Sequence, residues 1–272
     1  MTRYSRHEHA LLRGSTEHYL DARLYDHEYQ RRRVDVNFYR RQAREGGREI
    51  LELGCGTGRV LVPLVRDGHR VVGLDRSQNM LRRCAERVTR LPASVRERAL
   101  LVRADFRRFA LGRRWPLILC PFNAMMHLYN REDVYRFLEC VRDHLAPGGR
   151  FCFDVLNPDL RWLTRDPHRR WSRTRFKDPV SGRSYYYSTN HTYDAATQIA
   201  WIRIYYDEIE APAGRLPRSR VVELTHRQFF PEELLALLDH AGFRVERRDG
   251  GFDGEPFTAE ADSQVCTCSM RD

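Results

Sequence analysis

Between Ile50 and Val65 the chain leaves a short apolar run, passes through Glu52-Leu-Gly-Cys-Gly-Thr-Gly58 and enters the amphipathic run Arg59 to Val65. Few backbones accept three glycines in five positions at such a place. A buried strand must turn tightly into a helix there. Glycine supplies the left-handed dihedrals and the missing Cβ that the turn, and a ligand lying close to it, require. Two carboxylates sharpen the signal: Glu52 leads into the loop, and Asp75 ends the next predicted strand about twenty residues beyond the glycines.

Around this loop the sequence alternates as a doubly wound α/β sheet does. Strands are predicted at Glu49–Leu53, Arg70–Leu74, Leu100–Arg103, Leu117–Cys120 and Arg150–Val155, and helices at Arg59–Val65, Ser77–Val88 and Arg131–Leu145. Ser77 reads as an N-cap, and Pro147-Gly148-Gly149 as a stop and turn before the fifth strand. The rhythm resumes with a helix at Pro231–Gly242, a strand at Phe243–Arg248 and a last strand at Gln264–Met270.

Residues 159–228 interrupt it. Three of the four tryptophans lie there, with hairpin arms predicted at Ser184–Tyr193 and Gln198–Ile209 around a turn at Asp194–Thr197. A small antiparallel sheet entering after strand five would lie over the carboxyl ends of the main sheet, where open α/β folds bind ligands. A substrate lid is expected; a packing or dimerising ornament is the alternative. The N-terminal fifty residues read as mostly helical and amphipathic. Tyr25 and Tyr29, four apart, share one helical face and either anchor a core or close over a bound cofactor. The expected division is a helical cap over 1–47, a Rossmann-like core of 48–158 and 229–272, and an inserted sheet over 159–228.

Composition excludes several classes. Apolar residues make up 42% of 272, enough for one large core. No segment approaches the roughly 18 uninterrupted apolar residues of a membrane span. The opening residues lack the apolar stretch of a signal peptide. Seven scattered cysteines point to reduced thiols, so a cytoplasmic protein is expected. Cys266 and Cys268 share a strand face, but no second pair completes a metal site, and none is expected. The net charge of +10 comes almost wholly from arginine, Lys177 being the only lysine, and is spread among acidic residues along the chain. That is a solvated surface rather than a stripe for nucleic acid, which is not the expected partner.

A carboxylate at Asp75 suits the ribose hydroxyls of any adenosine ligand. The spacing Gly54-Cys55-Gly56-Thr57-Gly58 departs from the Gly-x-Gly-x-x-Gly of dinucleotide sites. Glu52 beside the loop would repel a diphosphate and welcome a cationic or amino-bearing ligand. Both observations favour S-adenosylmethionine over NAD. The motifs Glu52 to Gly58, Val72-Gly-Leu-Asp75, Ala104-Asp105-Phe106, Pro121-Phe-Asn-Ala-Met-Met-His-Leu128 and Leu145-Ala-Pro-Gly-Gly149 occur in that order. In this the chain resembles the class I S-adenosylmethionine-dependent methyltransferases, and within them a small-molecule subgroup with an antiparallel sheet inserted after strand five.

The resemblance implies a seven-stranded Rossmann-like fold and a set of cofactor contacts. Glu52, Gly54, Cys55, Gly56 and Gly58 would surround the methionyl part and ribose. Asp75 would hold the ribose hydroxyls, with Arg76, Ser77 and Met80 nearby, and Asp105 and Phe106 would address adenine. Cys120 and Phe122 would border the methyl donor, while Tyr25 and Tyr29 resemble tyrosines that cover the cofactor. The tetrapeptide Cys120-Pro-Phe-Asn123 departs from the Asn/Asp-Pro-Pro-Tyr/Phe of methylases acting on base amines. Asp154 and Asn157 only partly imitate the acidic metal ligands of a catechol-type enzyme.

The expected reaction is an in-line displacement at the sulfonium methyl, in which the protein mainly aligns and desolvates the reactants. A general base is needed where the acceptor arrives protonated. His127, seven residues beyond the fourth strand, is the first candidate. Tyr25 is a second candidate for catalysis, and His191 a weaker base. For the acceptor, Asn123, His127 and Asn157 lie near the donor edge. The inserted sheet adds Tyr187, His191, Trp201, Arg203 and Tyr205, and Arg227 follows it. Period two puts Trp201, Arg203 and Tyr205 on one face, where an arginine between rings clamps a carboxylate or merely packs. The expected acceptor is a small amine, amino-acid derivative or hydroxylated metabolite, and the expected protein a monomer or homodimer. A tRNA or rRNA methyltransferase and a non-catalytic interaction protein are the alternatives.

Overall fold

The computed structural model describes residues 5–178, 180–210 and 215–271. Its strands are β1 (Glu49–Leu53), β2 (Arg70–Asp75), β3 (Ala99–Arg103), β4 (Trp115–Cys120), β5 (Leu145–Leu156), β6 (Trp171–Lys177), β7 (Ser184–Asp194), β8 (Ile199–Glu208), β9 (Ser219–Arg227), β10 (Phe243–Asp249) and β11 (Ser263–Met270). Its α-helices are α1 (Arg6–Gly14), α2 (Ala22–Tyr29), α3 (Val34–Gly46), α4 (Leu61–Arg66), α5 (Gln78–Thr89), α6 (Ala93–Arg96), α7 (Arg131–His144), α8 (Leu160–Leu163) and α9 (Pro231–His240). By packing, the chain divides into two compact units, Gln30–Pro158 with Gln228–Asp272, and Met1–Tyr29 with Asp159–Arg227.

The larger unit is a seven-stranded sheet in the order β10-β11-β5-β4-β1-β2-β3. β11 alone runs against its neighbours, pairing antiparallel with both β5 and β10. Strand order reverses between β1 and β4, so the loops after these two strands leave the sheet side by side at the switch point where such folds bind ligands. Both faces are covered, which is why β4 reads as an unbroken apolar run and why every residue of β1 after Glu49 is buried. One layer buries Trp115, Phe137, Phe151 and Phe243 with helices α7 and α9. The other buries Tyr39, Leu61, Leu64 and Cys84 from α3, α4 and α5. Phe151 stacks on Phe153 at 5.0 Å, and burying one such ring contributes about 1.5–3 kcal/mol. Helix starts follow local chemistry: the Ser77 hydroxyl accepts from Met80 N at 3.4 Å, and Asn130 Oδ1 accepts from Asp133 N at 2.8 Å.

One expectation is corrected. Pro147-Gly148-Gly149 does not precede the fifth strand but lies inside it, since β5 begins at Leu145 opposite Trp115. The register slips between Trp115 and Leu117, and Gly148 takes φ +69°. A Cβ on Gly149 would stand 2.8 Å from Ala146 O. The glycines therefore build a bulge rather than a break.

The smaller unit joins α1, a 3₁₀ turn at Glu17–Tyr19 and α2 to the antiparallel sheet β6-β7-β8-β9. The two predicted arms are its central pair, β7 and β8, and both outer strands escaped the sequence reading. Its core is small: Ile204, Tyr206, Val222 and Leu224, packed by Tyr19, Leu24 and Phe176. α1 approaches β9 closely, and a Cβ on Gly14 would meet Thr225 Cγ2 at 2.5 Å. Among the described residues no helix is long and apolar enough to cross a membrane.

Candidate active site

The loop after β1 is tied back to β2. Gly54 N and Cys55 N both donate to Leu74 O, at 2.8 and 3.0 Å. Gly54, Gly56 and Gly58 have φ of +71°, +55° and +77°, so all three use the left-handed region. Their surroundings differ. A Cβ on Gly54 would touch Ala124 Cβ at 3.0 Å, and one on Gly58 would meet Cys84 Sγ at 2.6 Å. At Gly56 nothing lies within 4 Å. Two of the glycines are thus fixed by packing, and the middle one faces open space.

Asp75 faces the same loop. Its carboxylate accepts from Gly56 N at 2.8 Å and from Ser77 N at 2.8 Å, each oxygen keeping a second lone pair. Burial raises its pKa, against the pull of these N–H donors and of Arg76. Met80 is buried one turn into α5. Glu52 is 1% exposed at the end of β1, and its Oε2 has no hydrogen-bond partner. Burial pushes its pKa far above the carboxylate range, with the nearby Cys84 adding to it. Cys55 is buried, and its thiol is raised by a hydrogen bond to Cys84 and by burial.

The loop after β4 contains a device the sequence did not reveal. Phe122 and Asn123 are both left-handed, at φ +58° and +61°, a conformation that is strained for phenylalanine. The Asp154 carboxylate on β5 holds this pair, accepting from Phe122 N at 2.8 Å, Asn123 N at 3.2 Å and the Tyr39 hydroxyl at 2.5 Å. Asp154 is 1% exposed, so these bonds act in a medium of low polarity. Arg59 completes the support, paired bidentately with buried Asp35 at 2.8 and 2.5 Å while its guanidinium lies 4.3 Å from the Phe122 ring centre. Cys120 is fully buried just before this loop.

His127 closes the 3₁₀ turn Ala124–His127, and its Nδ1 lies 3.1 Å from the Tyr129 hydroxyl. Phe106 packs edge-on against Phe137 at 5.2 Å and comes within reach of the Gly54 position. Asp105 is engaged: Arg107 binds it through Nε at 3.0 Å and Nη2 at 2.6 Å. Burial opposes its ionisation, but the guanidinium outweighs burial and holds the pKa below the usual range. Asn157 ties down a loop, with Nδ2 donating to Ala261 O at 3.0 Å. Among the described residues no group of three or more histidine, cysteine or acidic side chains is arranged to hold a metal ion.

The other expected residues lie in the smaller unit. Tyr25 and Tyr29 do meet, ring centres 4.8 Å apart, and His18 packs edge-on to both. Tyr187 stands edge-on to Tyr206 at 5.8 Å. His191 is 3% exposed, stacked on Trp162 at 3.7 Å with Nε2 at 2.7 Å from Trp162 O, the setting of a packing histidine. Arg203 is exposed, and the cation over the Tyr205 ring is Arg170, 3.6 Å from its centre. Trp201 meets His7, and Arg227 is buried at the end of β9.

Residues 50–149 match a family described as a methyltransferase domain. The chain is 30% identical over 138 residues to the dTDP-3-amino-3,6-dideoxy-α-D-glucopyranose N,N-dimethyltransferase of Streptomyces fradiae, covering 47% of this chain and 50% of that relative. It is 27% identical over 216 residues to the cypemycin N-terminal methyltransferase of a Streptomyces species, covering 79% of this chain and 80% of the relative. Among solved structures, the CcbJ methyltransferase from Streptomyces caelestis superposes with a TM-score of 0.71 at 23% identity, over 88% of this chain and 89% of that one. Residues 50–149 thus form a methyltransferase domain, and the seven-stranded sheet with its reversed last strand and the four-stranded sheet inserted after the fifth strand give the chain the fold of the class I S-adenosylmethionine-dependent methyltransferases.

Proposed function

We propose that the protein moves the methyl group of S-adenosylmethionine onto an amino nitrogen of a small polar metabolite, and that a nucleotide-linked amino sugar is the acceptor class to test first. The observation that carries the donor half is Gly56. It combines a left-handed backbone with open space on its Cβ side, directly beside a carboxylate already oriented by Gly56 N and Ser77 N. Glu52 supports the same reading, because its orphaned Oε2 lacks the donor that an amino-bearing ligand, or water bound with it, brings. The fit is therefore good.

In this reading Asp75 accepts the ribose hydroxyls, with Arg76, Ser77 and Met80 beside it. Phe106 flanks adenine, and Asp105, engaged by Arg107, orients the turn around that ring. Asp154 fixes the Phe122–Asn123 loop at the donor edge, with Cys120 beneath it. S-adenosylmethionine, when bound, supplies an activated methyl. The chain must then align the nitrogen, exclude water and remove a proton from an amine that is protonated at neutral pH. His127, its ring held by Tyr129, is the proposed base.

The relatives favour nitrogen as acceptor: one is named for an amino sugar and another for a peptide N-terminus. Many arginines are engaged locally, as in Arg40–Asp67, Arg150–Glu45 and Arg215–Glu208, which supports a solvated surface over a nucleic-acid path. The test is incubation with S-adenosylmethionine and dTDP-3-amino-3,6-dideoxyglucose, followed by mass spectrometry. Gain of one or two methyl groups on the sugar nitrogen is expected. Methylation of hydroxylated but not amino-bearing sugars would overturn the choice of nitrogen.

A further inference from the structure

One half-buried glutamate in the smaller unit has no cation to balance it. Glu28 lies near the end of α2, and its Oε2 is shielded from solvent without a hydrogen-bond partner. No arginine, lysine or histidine forms an ion pair with it among the described residues. Its surroundings are aromatic instead. The Tyr29 and Tyr206 hydroxyls bond to the carboxylate, and Tyr187 stands edge-on to Tyr206. Tyr25 packs against Tyr29.

Other titratable groups near these rings come from the 3₁₀ turn, β9 and the residue just before α2. They are His18, His226, Asp21 and Arg220. Burial holds both histidines neutral, at a pKa of about 4. Arg220 faces Asp21, at 3.5 Å. Burial lifts Glu28 itself to about 7, even though the two phenols favour its ionised form. Burial also raises Tyr29, Tyr187 and Tyr206, and the Glu28 charge adds to each.

We propose that Glu28, with the rings of Tyr25, Tyr29, Tyr187 and Tyr206, is a seat for an organic ammonium ion. The chemistry is specific. A lone carboxylate oxygen needs a donor, and an ammonium N–H is the donor that also cancels its charge. Phenol rings attract the same cation through their faces and tolerate the methyl groups that N-methylation adds. A phosphate or carboxylate ligand would be repelled, and a neutral hydroxyl would leave the charge unbalanced. The inference rests on the amine reading above for its biological sense.

The test uses the full chain with side-chain 13C-labelled glutamate, assigned through Glu28→Gln. The carboxyl resonance of Glu28 is followed against pH, with methylammonium chloride as probe and sodium chloride as the ionic-strength control. Methylammonium should lower the Glu28 midpoint by about one unit or more, as a close opposite charge does, while sodium chloride leaves it in place. The glutamine variant should bind S-adenosylmethionine as the parent does while losing the methylammonium response of its tyrosine fluorescence. An unmoved Glu28 resonance, or an unchanged fluorescence response in Glu28→Gln, would overturn the seat. A protein that binds methylammonium at Glu28 yet methylates no amine would instead refute the amine-acceptor reading and leave the seat standing.

Discussion

Alanine at Gly56 separates room for a ligand from the shape of the backbone. Gly56 has φ +55° and nothing within 4 Å of its absent Cβ, so the substitution makes no clash inside the protein. The left-handed backbone alone costs an alanine about 1–2 kcal/mol. For a chain of this size that lowers the melting temperature by about 2–4 °C per kcal/mol. Binding should suffer more. In the proposed site the new methyl would stand where the cofactor approaches, and forcing a methyl into a filled space costs about 1–3 kcal/mol. A loss of affinity on the order of tenfold or more follows.

Gly58→Ala is the control. Its Cβ would lie 2.6 Å from the sulfur of buried Cys84, so packing strain adds to the backbone cost and stability should fall further. Thermal unfolding and calorimetric titration with S-adenosylmethionine, run on the same preparations, read both quantities. The reasoning fails if Gly56→Ala binds the cofactor like the parent. It also fails if Gly56→Ala loses as much stability as Gly58→Ala.

Two further outcomes follow from buried groups. Asp154→Ala strands three donors, Tyr39 OH, Phe122 N and Asn123 N. At about 1–3 kcal/mol each, urea unfolding should show a loss of roughly 3 kcal/mol or more, and a loss below about 1 kcal/mol would contradict the role given to Asp154. His18 and His226 fall from 6.5 to about 4 through burial, so the folded state stays neutral while the unfolded chain takes up protons. Their contribution is complete above pH 6.5 and is lost as pH falls toward 4. Urea midpoints across that range should drop less steeply in His18→Gln than in the parent, and parallel curves would refute this assignment.

Much of the loop after β1 and its neighbour Asp75 could be read from the sequence because their chemistry is local. The glycine run, Asp75 and the Ser77 cap lie within 26 residues, and each declares its role through backbone need or charge. What stayed hidden depends on distant partners. β6 is an outer strand of mostly exposed polar residues, so it lacks the apolar alternation that marks a half-buried strand. Pro147 to Gly149 carries every sign of a turn, and only pairing with Trp115 keeps it inside β5. Asp154 could not be recognised as the clasp of the β4 loop, since neither Phe122 nor Asn123 is a glycine announcing positive φ. The surroundings of Arg203 and His191 were hidden for the same reason. Period two finds a face, but not that Arg170 takes the place over Tyr205 or that Trp162 covers His191.

The central claim is that the Gly54 to Gly58 loop and Asp75 bind S-adenosylmethionine for methyl transfer. Calorimetric titration of ligand-free protein with S-adenosylmethionine and, separately, with NAD tests it most directly. The account predicts micromolar binding of the sulfonium donor, strongly weakened in Asp75→Ala, and no binding of NAD. A folded protein that binds neither ligand, or that binds NAD in preference, would contradict it.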